Sequence, residues 1–243
     1  EGGSPLHANF PVGDAIAGLF TAFSIASEIA RLRGDPTAQG VEIDLSATEA
    51  LFRLLDPLPV EHEQLGLVRQ PAGNCASYTA PSNMYQSADG VYFSLVASSD
   101  AIFARLAEVV GQPGWASDSR FSTNLQRVRH LRELDSALAG WFIARPYSEF
   151  EPALEGAGIP FSKIYTIEDI ETDPQFVARE AIVRLPDPLY GSVPAPCIVP
   201  RILGRDMPIP RTGPDVGEHN NEVYAEFGVN ADALATLKAQ GVI

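Results

Sequence analysis

Asp44 stands near the end of the run Val41-Glu42-Ile43-Asp44-Leu45-Ser46, and acids at strand ends often act in α/β folds. Asp14, in Gly13-Asp14-Ala15-Ile16-Ala17-Gly18, is a second lone acid, set just before a long apolar run. No Ser–His pair is suggested anywhere in the chain. At the head of a helix, however, a lone acid serves as an N-cap, and that is the role expected of Asp14. Cys75 has no basic or His neighbour in the sequence that would draw off its proton, so it is expected to be a bystander. His7, His62, His130 and His219 share no ligand spacing, and Cys75 lies far from Cys197, so no metal is expected.

These residues sit on elements that the pattern of the chain predicts. Residues 13–33 read as a helix with little polar face, most of it buried, whose Ala17, Gly18, Ala22 and Ala26 let another backbone approach. Gly34-Asp35-Pro36 ends it. Val41 to Leu45 is a short strand. Ser46 with Glu49 forms a capping box for a helix that runs to about residue 55, before Pro57 and Pro59. Residues 69–83 form a polar loop. A hairpin follows, with arms at 84–86 and 91–97 around Ala88-Asp89-Gly90. Helices are expected at 101–110, 127–144 and 148–156, then a strand over 159–165. Asp173-Pro174-Gln175 opens a helix through Glu180. A Pro-rich extended connector fills 186–216, and two helices, 220–227 and 232–240, close the chain. The chain thus divides into segments 1–79, 80–185 and 186–243.

With 243 residues, 45% of them hydrophobic and 20% charged, the chain is globular and large enough for a sizeable core. Its net charge of −14 disfavours nucleic acid and anionic membranes as partners. No secretory n-region is visible. Asp14 and Glu28 bracket an apolar run shorter than the ~20 residues of a membrane span, so no membrane role is expected. A reduced, cytoplasmic protein is the default reading of two separated cysteines.

Seven pieces stand in a telling order: Gly13-Asp14-x-x-Ala17-Gly18; Val41-Glu42-Ile43-Asp44-Leu45-Ser46; Tyr85-x-x-Ala88-Asp89-Gly90; Asp118-x-Arg120-Phe121 with Asn124 and Arg127; Ala157-Gly158-Ile159-Pro160; Asp173-Pro174-Gln175-x-x-Ala178-Arg179; and Gly217-Glu218-His219. In this order the chain resembles the family III CoA-transferases, the CaiB/BaiF type, which include formyl-CoA transferase and alpha-methylacyl-CoA racemase. The resemblance covers essentially the whole chain and matches the C-terminal part of the family's length, beginning just after the family's catalytic aspartate. Most of the seven pieces have structural roles to fill. Arg120 and Arg127 are expected to pair with acids between helices, Asp173 to cap a helix, and Gly217-Glu218-His219 to set up the final helix.

The resemblance implies an α/β fold. Residues 1–79 would belong to a Rossmann-like large domain, 80–185 would form a small α+β domain, and 186–243 would return to the large one. It implies interlocked dimers. The implied activity is transfer of CoA between carboxylic acids through an aspartyl-CoA intermediate, with acyl-CoA and carboxylate as substrates, CoA itself as substrate, and no further cofactor. The nucleophile would lie upstream or on a partner carrying a Rossmann-like half, in a homo- or hetero-oligomer, so the chain alone is expected to be inactive, with no catalytic residue of its own. Asp44 looks structural at its position in the family.

In formyl-CoA transferase a glycine-rich loop covers the intermediate. The matching stretch is Pro71-Ala72-Gly73-Asn74-Cys75-Ala76-Ser77-Tyr78. Backbone amides near Gly73 would donate to an oxyanion, and Asn74 or Tyr78 would orient the acyl group. A racemase of this family is one alternative, but Gln86 stands where that branch carries a glutamate, and an amide cannot take a proton from carbon. A non-catalytic accessory subunit or remnant is the other.

Overall fold

A computed structural model describes residues 9–76, 78–205, 208 and 210–243. His7 and Ser77, both named above, lie outside them. The chain divides into two compact units, Glu1–Lys163 and Ile164–Ile243.

The first unit opens with α1 (Val12–Gly34). Its N-cap is Pro11, and Asp14 sits inside the first turn, so Asp14 does not cap the helix. Its charge there still favours the positive helix end. The long apolar run supports the helix, and Arg31 and Arg33 lie in its last turn, with Arg31 also paired to Glu28. The expected burial is not found: no residue of α1 is buried within this chain, and Leu19 and Phe23 are 68% and 73% exposed. By length and composition alone α1 could cross a membrane, as the core helix of a soluble protein also could.

Residues 41–45 form no strand. A strand needs a neighbour for its N–H and C=O groups, and the described residues supply none there. Val41 and Ile43 stay exposed. Ser46 is the N-cap of α2 (Ala47–Arg53), as expected, but its side chain accepts no capping bond. A helix not foreseen, α3 (Pro57–Leu65), follows with Pro57 at its first position, where a missing N–H costs nothing.

The core of the first unit is a three-stranded antiparallel sheet covered by helices. Strands β1 (Ser82–Gln86) and β2 (Tyr92–Val96) form the expected hairpin, with Tyr85 opposite Phe93. Gly90 takes φ +83° in the turn, a value that L side chains rarely adopt. Asp89 accepts bonds from the Ser87 hydroxyl and the Tyr147 amide, which hold its carboxyl below the usual range. Four helices follow in the chain: α4 (Asp100–Val109), α5 (Asn124–Arg129), α6 (Leu131–Ile143) and α7 (Tyr147–Gly156). Strand β3 (Phe161–Lys163) then pairs with β2 and leaves β1 at the sheet edge.

The single helix expected over 127–144 is instead two, broken at His130 (φ −110°, ψ 26°). Helix α5 can therefore turn Arg127 inward while α6 keeps Leu134, Leu138 and Phe142 in the core. Phe93 meets Phe142 edge-on at 4.9 Å and Phe150 at 5.2 Å, the tilted geometries that aromatic quadrupoles prefer.

Arg120 bonds to Asp118 and pairs with Glu133 of α6. The Arg120 guanidinium and amide pull the Asp118 carboxyl down to about 2. Its unfolded value is about 3.9, so this stabilisation is complete above that pH and is lost as pH falls towards 2. In urea titrations the wild type is expected to exceed Asp118→Asn in stability at pH 5, and the gap should close by pH 2. A gap that persists at pH 2 would contradict the assignment.

The second unit begins with α8 (Ile167–Thr172), which was not foreseen and is set by a Thr166/Asp169 capping box. Asp173 caps α9 (Pro174–Ala178), accepting from the Gln175 and Phe176 amides as expected. Part of the presumed connector is a hairpin of β4 (Ile182–Asp187) and β5 (Gly191–Pro196). Asp187 orders its turn by accepting from the Leu189 and Tyr190 amides. A two-stranded ribbon has only edge strands, where proline is tolerated, which is why the Pro-rich stretch could hide it. Helices α10 (Asn220–Glu226) and α11 (Ala231–Ala239) close the chain, and His219 stands at the N-cap of α10.

Candidate functional site

The polar loop is pinned at both ends within the first unit. At its start Arg69 donates to Glu61 of α3 at 2.6 Å. At its end Asn124 accepts from the Ala80 amide at 3.0 Å and donates to the Tyr78 carbonyl at 3.2 Å. Arg127 donates to the Ala80 carbonyl at 2.7 Å. Between these anchors Gly73 takes φ +65°, which lets the chain turn so that Asn74 and Cys75 face the sheet edge. The amides of Gly73 and Asn74 donate to no described residue.

A cleft of about 380 Å³ lies between edge strand β1 and helix α6. Asn74, Gln86 and Asp135 are among its polar walls, and Met84, Tyr92 and Ile143 among its apolar ones. Asp135 organises it. Its Oδ1 accepts from the buried Tyr85 hydroxyl at 2.6 Å, and its Oδ2 accepts from the Asn83 amide at 2.6 Å. The Cys75 thiol points at the same Oδ2 from 3.8 Å. Burial, and then the Asp135 charge, push the Tyr85 phenol well above its ordinary value. The same causes in the same order push the Cys75 thiol up, against a smaller pull from Asn83. Cys75 is therefore protonated at neutral pH and unsuited to nucleophilic attack.

The loop residues named from the sequence part company here. Asn74 lines the cleft, Gly73 makes the turn beside it, and Tyr78 is 70% exposed and is not among the lining residues. Asp44 is exposed on an irregular segment. The sequence reading missed Asp135, Asn83 and Tyr85. One signal was available: Asp135 is a charged residue between the core positions Leu134 and Leu138 of an amphipathic helix. The second unit holds another cleft, of about 390 Å³, walled in part by Arg201 and Arg205. Its wall includes Pro208 and Pro210, which flank residues outside the described ones.

The family model for CoA-transferase family III matches residues 1–220. The chain belongs to the family III CoA-transferases. Over 240 residues it is 33% identical to the succinyl-CoA–D-citramalate CoA-transferase of Chloroflexus aurantiacus, spanning 98% of this chain and 59% of that protein. It is 26% identical to the alpha subunit of a succinyl-CoA–L-malate CoA-transferase of the same species, over 96% of this chain and 54% of that one. The chain thus spans a little over half the length of these curated relatives. Its fold is that of a CaiB/BaiF family protein from Brucella suis, with a TM-score of 0.73, 24% identity, and 93% of this chain covering 57% of that one. The mixed α/β architecture expected from the sequence is therefore the family's.

Proposed function

We propose that this family III chain supplies the loop and cleft that border the acyl group in an enzyme moving CoA between two carboxylic acids. The nucleophilic aspartate is contributed from outside these 243 residues, by upstream sequence or by a partner chain. In this reading the aspartate oxygen bonds to the acyl carbon of an acyl-CoA as the C–S bond breaks. The CoA thiolate then takes the aspartyl carbonyl and frees the acyl group as its carboxylate, and the acceptor acid reverses the sequence. Both carbonyl attacks build negative charge on oxygen. The amides of Gly73 and Asn74, which donate to no described residue, are donors that can meet that charge. Asn74 at the mouth of the cleft is suited to hold the acyl group. Coenzyme A enters as substrate.

The single observation that carries this reading is the loop of Gly73 and Asn74, pinned by Asn124 and Arg127 and open on the cleft side. The test is reconstitution. The chain is mixed with a polypeptide covering the part of the family's length that it does not span, and a panel of acyl-CoAs and acids is assayed. Turnover is expected from the mixture and not from the chain alone. Gly73→Val keeps the amide but strains the turn at φ +65° and crowds its own backbone, so the displaced donor should lower that turnover by up to about 10²-fold, the cost of an oxyanion donor out of place. Open space surrounds Gly73, so the strain of a β-branched residue at φ +65° falls on the loop, and the thermal midpoint should move little. Unchanged turnover in Gly73→Val would make the loop scaffold. No turnover in the mixture would make the chain an accessory.

A further inference from the structure

We infer that Asp135 of α6 is a positioning residue of the proposed acyl site, seating the Gly73–Asn74 turn on the edge of the sheet through Cys75 and Asn83. The assignment rests on the proposed reading of that loop as the border of the acyl group, and it names the side chain that fixes where the loop sits.

The turn itself is small. The Cys75 amide donates to the Ala72 carbonyl at 3.4 Å, which closes the chain around Gly73 and Asn74. A segment with so little surface to bury has little stability of its own, so its place depends on what holds its ends. Two contacts tie the end of the turn to the sheet and the helix. The Ala76 amide donates to the Ser82 carbonyl of edge strand β1 at 3.2 Å. The Cys75 thiol meets Asp135 Oδ2 at 3.8 Å, 60 residues along the chain.

Asp135 is itself fixed by the sheet. The buried Tyr85 donates its hydroxyl to Oδ1 at 2.6 Å, and the Asn83 side-chain amide donates to Oδ2 at 2.6 Å. Asn83 is not free to turn over, because its own Oδ1 accepts from the Met84 backbone amide at 2.8 Å. The hydroxyl, the amide and the thiol thus all present donors to one carboxyl group. A side chain with two acceptor oxygens satisfies all three, whereas an amide would set its own N–H against one of them. A thiol is a weak donor, and its contact gains direction from an acceptor that cannot swing away. Such supporting contacts set the alignment of a site, and a displacement of about 1 Å can cost on the order of 10²-fold in rate. Asp135 touches no reacting atom in this reading; it acts through the loop.

The test uses Asp135→Asn, which keeps the shape and disturbs the three donors. In the chain alone, Cys197→Ser leaves Cys75 as the one thiol, and iodoacetamide reports on it at neutral pH, well below the thermal midpoint. Burial first, and the Asp135 charge second, hold the Cys75 thiol protonated. Asp135→Asn frees the turn and removes that charge, so Cys75 should be alkylated at least about tenfold faster. In the reconstituted mixture Asp135→Asn should lower kcat by about 10- to 10²-fold and leave KM for the acyl-CoA within about threefold, because the turn's amides meet charge that builds after binding. A role in α6 packing alone would move neither quantity in a folded variant. Cys75→Ala removes the thiol donor and should lower kcat about three- to tenfold. Cys75→Ser places a hydroxyl there and should recover most of that loss. Should Asp135→Asn fail to fold, this Cys75 pair decides the matter.

An unchanged alkylation rate in Asp135→Asn would overturn the inference. So would an equal loss of kcat in Cys75→Ser and Cys75→Ala. The two readings fail separately: an inactive wild-type mixture overturns the transferase proposal, whereas the alkylation rate bears on the seating of the turn by Asp135.

Discussion

Arg127→Met is expected to destabilise the first unit by about 3–5 kcal/mol, the order expected when several buried carbonyls lose their donor at once. Arg127 is fully buried, with 0% exposure. Its guanidinium donates to the carbonyls of Ala80 at 2.7 Å, Phe121 at 2.9 Å and Ser98 at 2.6 Å, and pairs with Asp100 at 2.9 Å. It also lies 4.4 Å from the centre of the Phe103 ring. Methionine would fill most of the volume but leave three carbonyls without this donor, each at a cost of about 1–3 kcal/mol if no water replaces it. The Asp100 side chain is mostly exposed, so losing that ion pair adds little. For a unit of this size the thermal midpoint should fall by about 6–20 °C. Arg127→Lys should recover little of it, because a single ammonium cannot reach acceptors spread around a planar fork. A loss below about 1 kcal/mol in Arg127→Met would show that the carbonyls find other donors. The same substitution releases the Ala80 end of the Gly73 loop, so turnover in the reconstituted mixture should fall as well.

The double substitution Leu19→Glu/Phe23→Glu should weaken reconstitution by at least 10²-fold and leave the thermal midpoint of the chain nearly unchanged. Helix α1 has no buried residue, and these two side chains are among its most exposed. Burying a Leu or a Phe against a partner contributes about 1.5–3 kcal/mol each. Two glutamates would remove that gain and add the cost of desolvating charge. Titrating the complementary polypeptide against the double variant, with turnover and light scattering as readouts, measures the shift. Wild-type affinity in the variant would show that this face of α1 lies outside the assembly. Large exposed apolar surfaces mark interaction sites, and the proposed occupant is the part of the family's length that this chain does not span.

The local chemistry of several elements was legible because short-range rules decide them. Asp89-Gly90 between apolar runs requires a tight turn, and the β1–β2 hairpin forms there. Asp173-Pro174 sets a helix start, and the Asp173 carboxylate makes the capping bonds. The order of the seven motifs was enough to indicate the family. The capping box at Thr166 and Asp169 was equally local and went unread.

The misses follow from interactions that no local pattern encodes. Val41-Glu42-Ile43-Asp44-Leu45 has strand character, yet a strand exists only when another strand takes its backbone groups, and none among the described residues does. Apolarity alone marked α1 for burial, but whether a face is covered depends on what lies across from it. The break at His130 shows in the direction Arg127 must face, not in helix propensity.

The candidate site divides in the same way. The sequence singled out Gly73, Asn74 and Tyr78 through the resemblance of their loop to the glycine-rich loop of formyl-CoA transferase, and of these the structure puts Asn74 on the wall of the cleft and leaves Tyr78 exposed. Only the tertiary structure brought Asn83, Tyr85 and Asp135 together from positions about 50 residues apart, and only it set the Cys75 thiol against an anionic carboxylate, which disfavours the thiolate. Residues carry their chemistry with them, but charge, burial and hydrogen bonding act through space, and the distances that decide them are set by how α6 packs on the edge of the sheet.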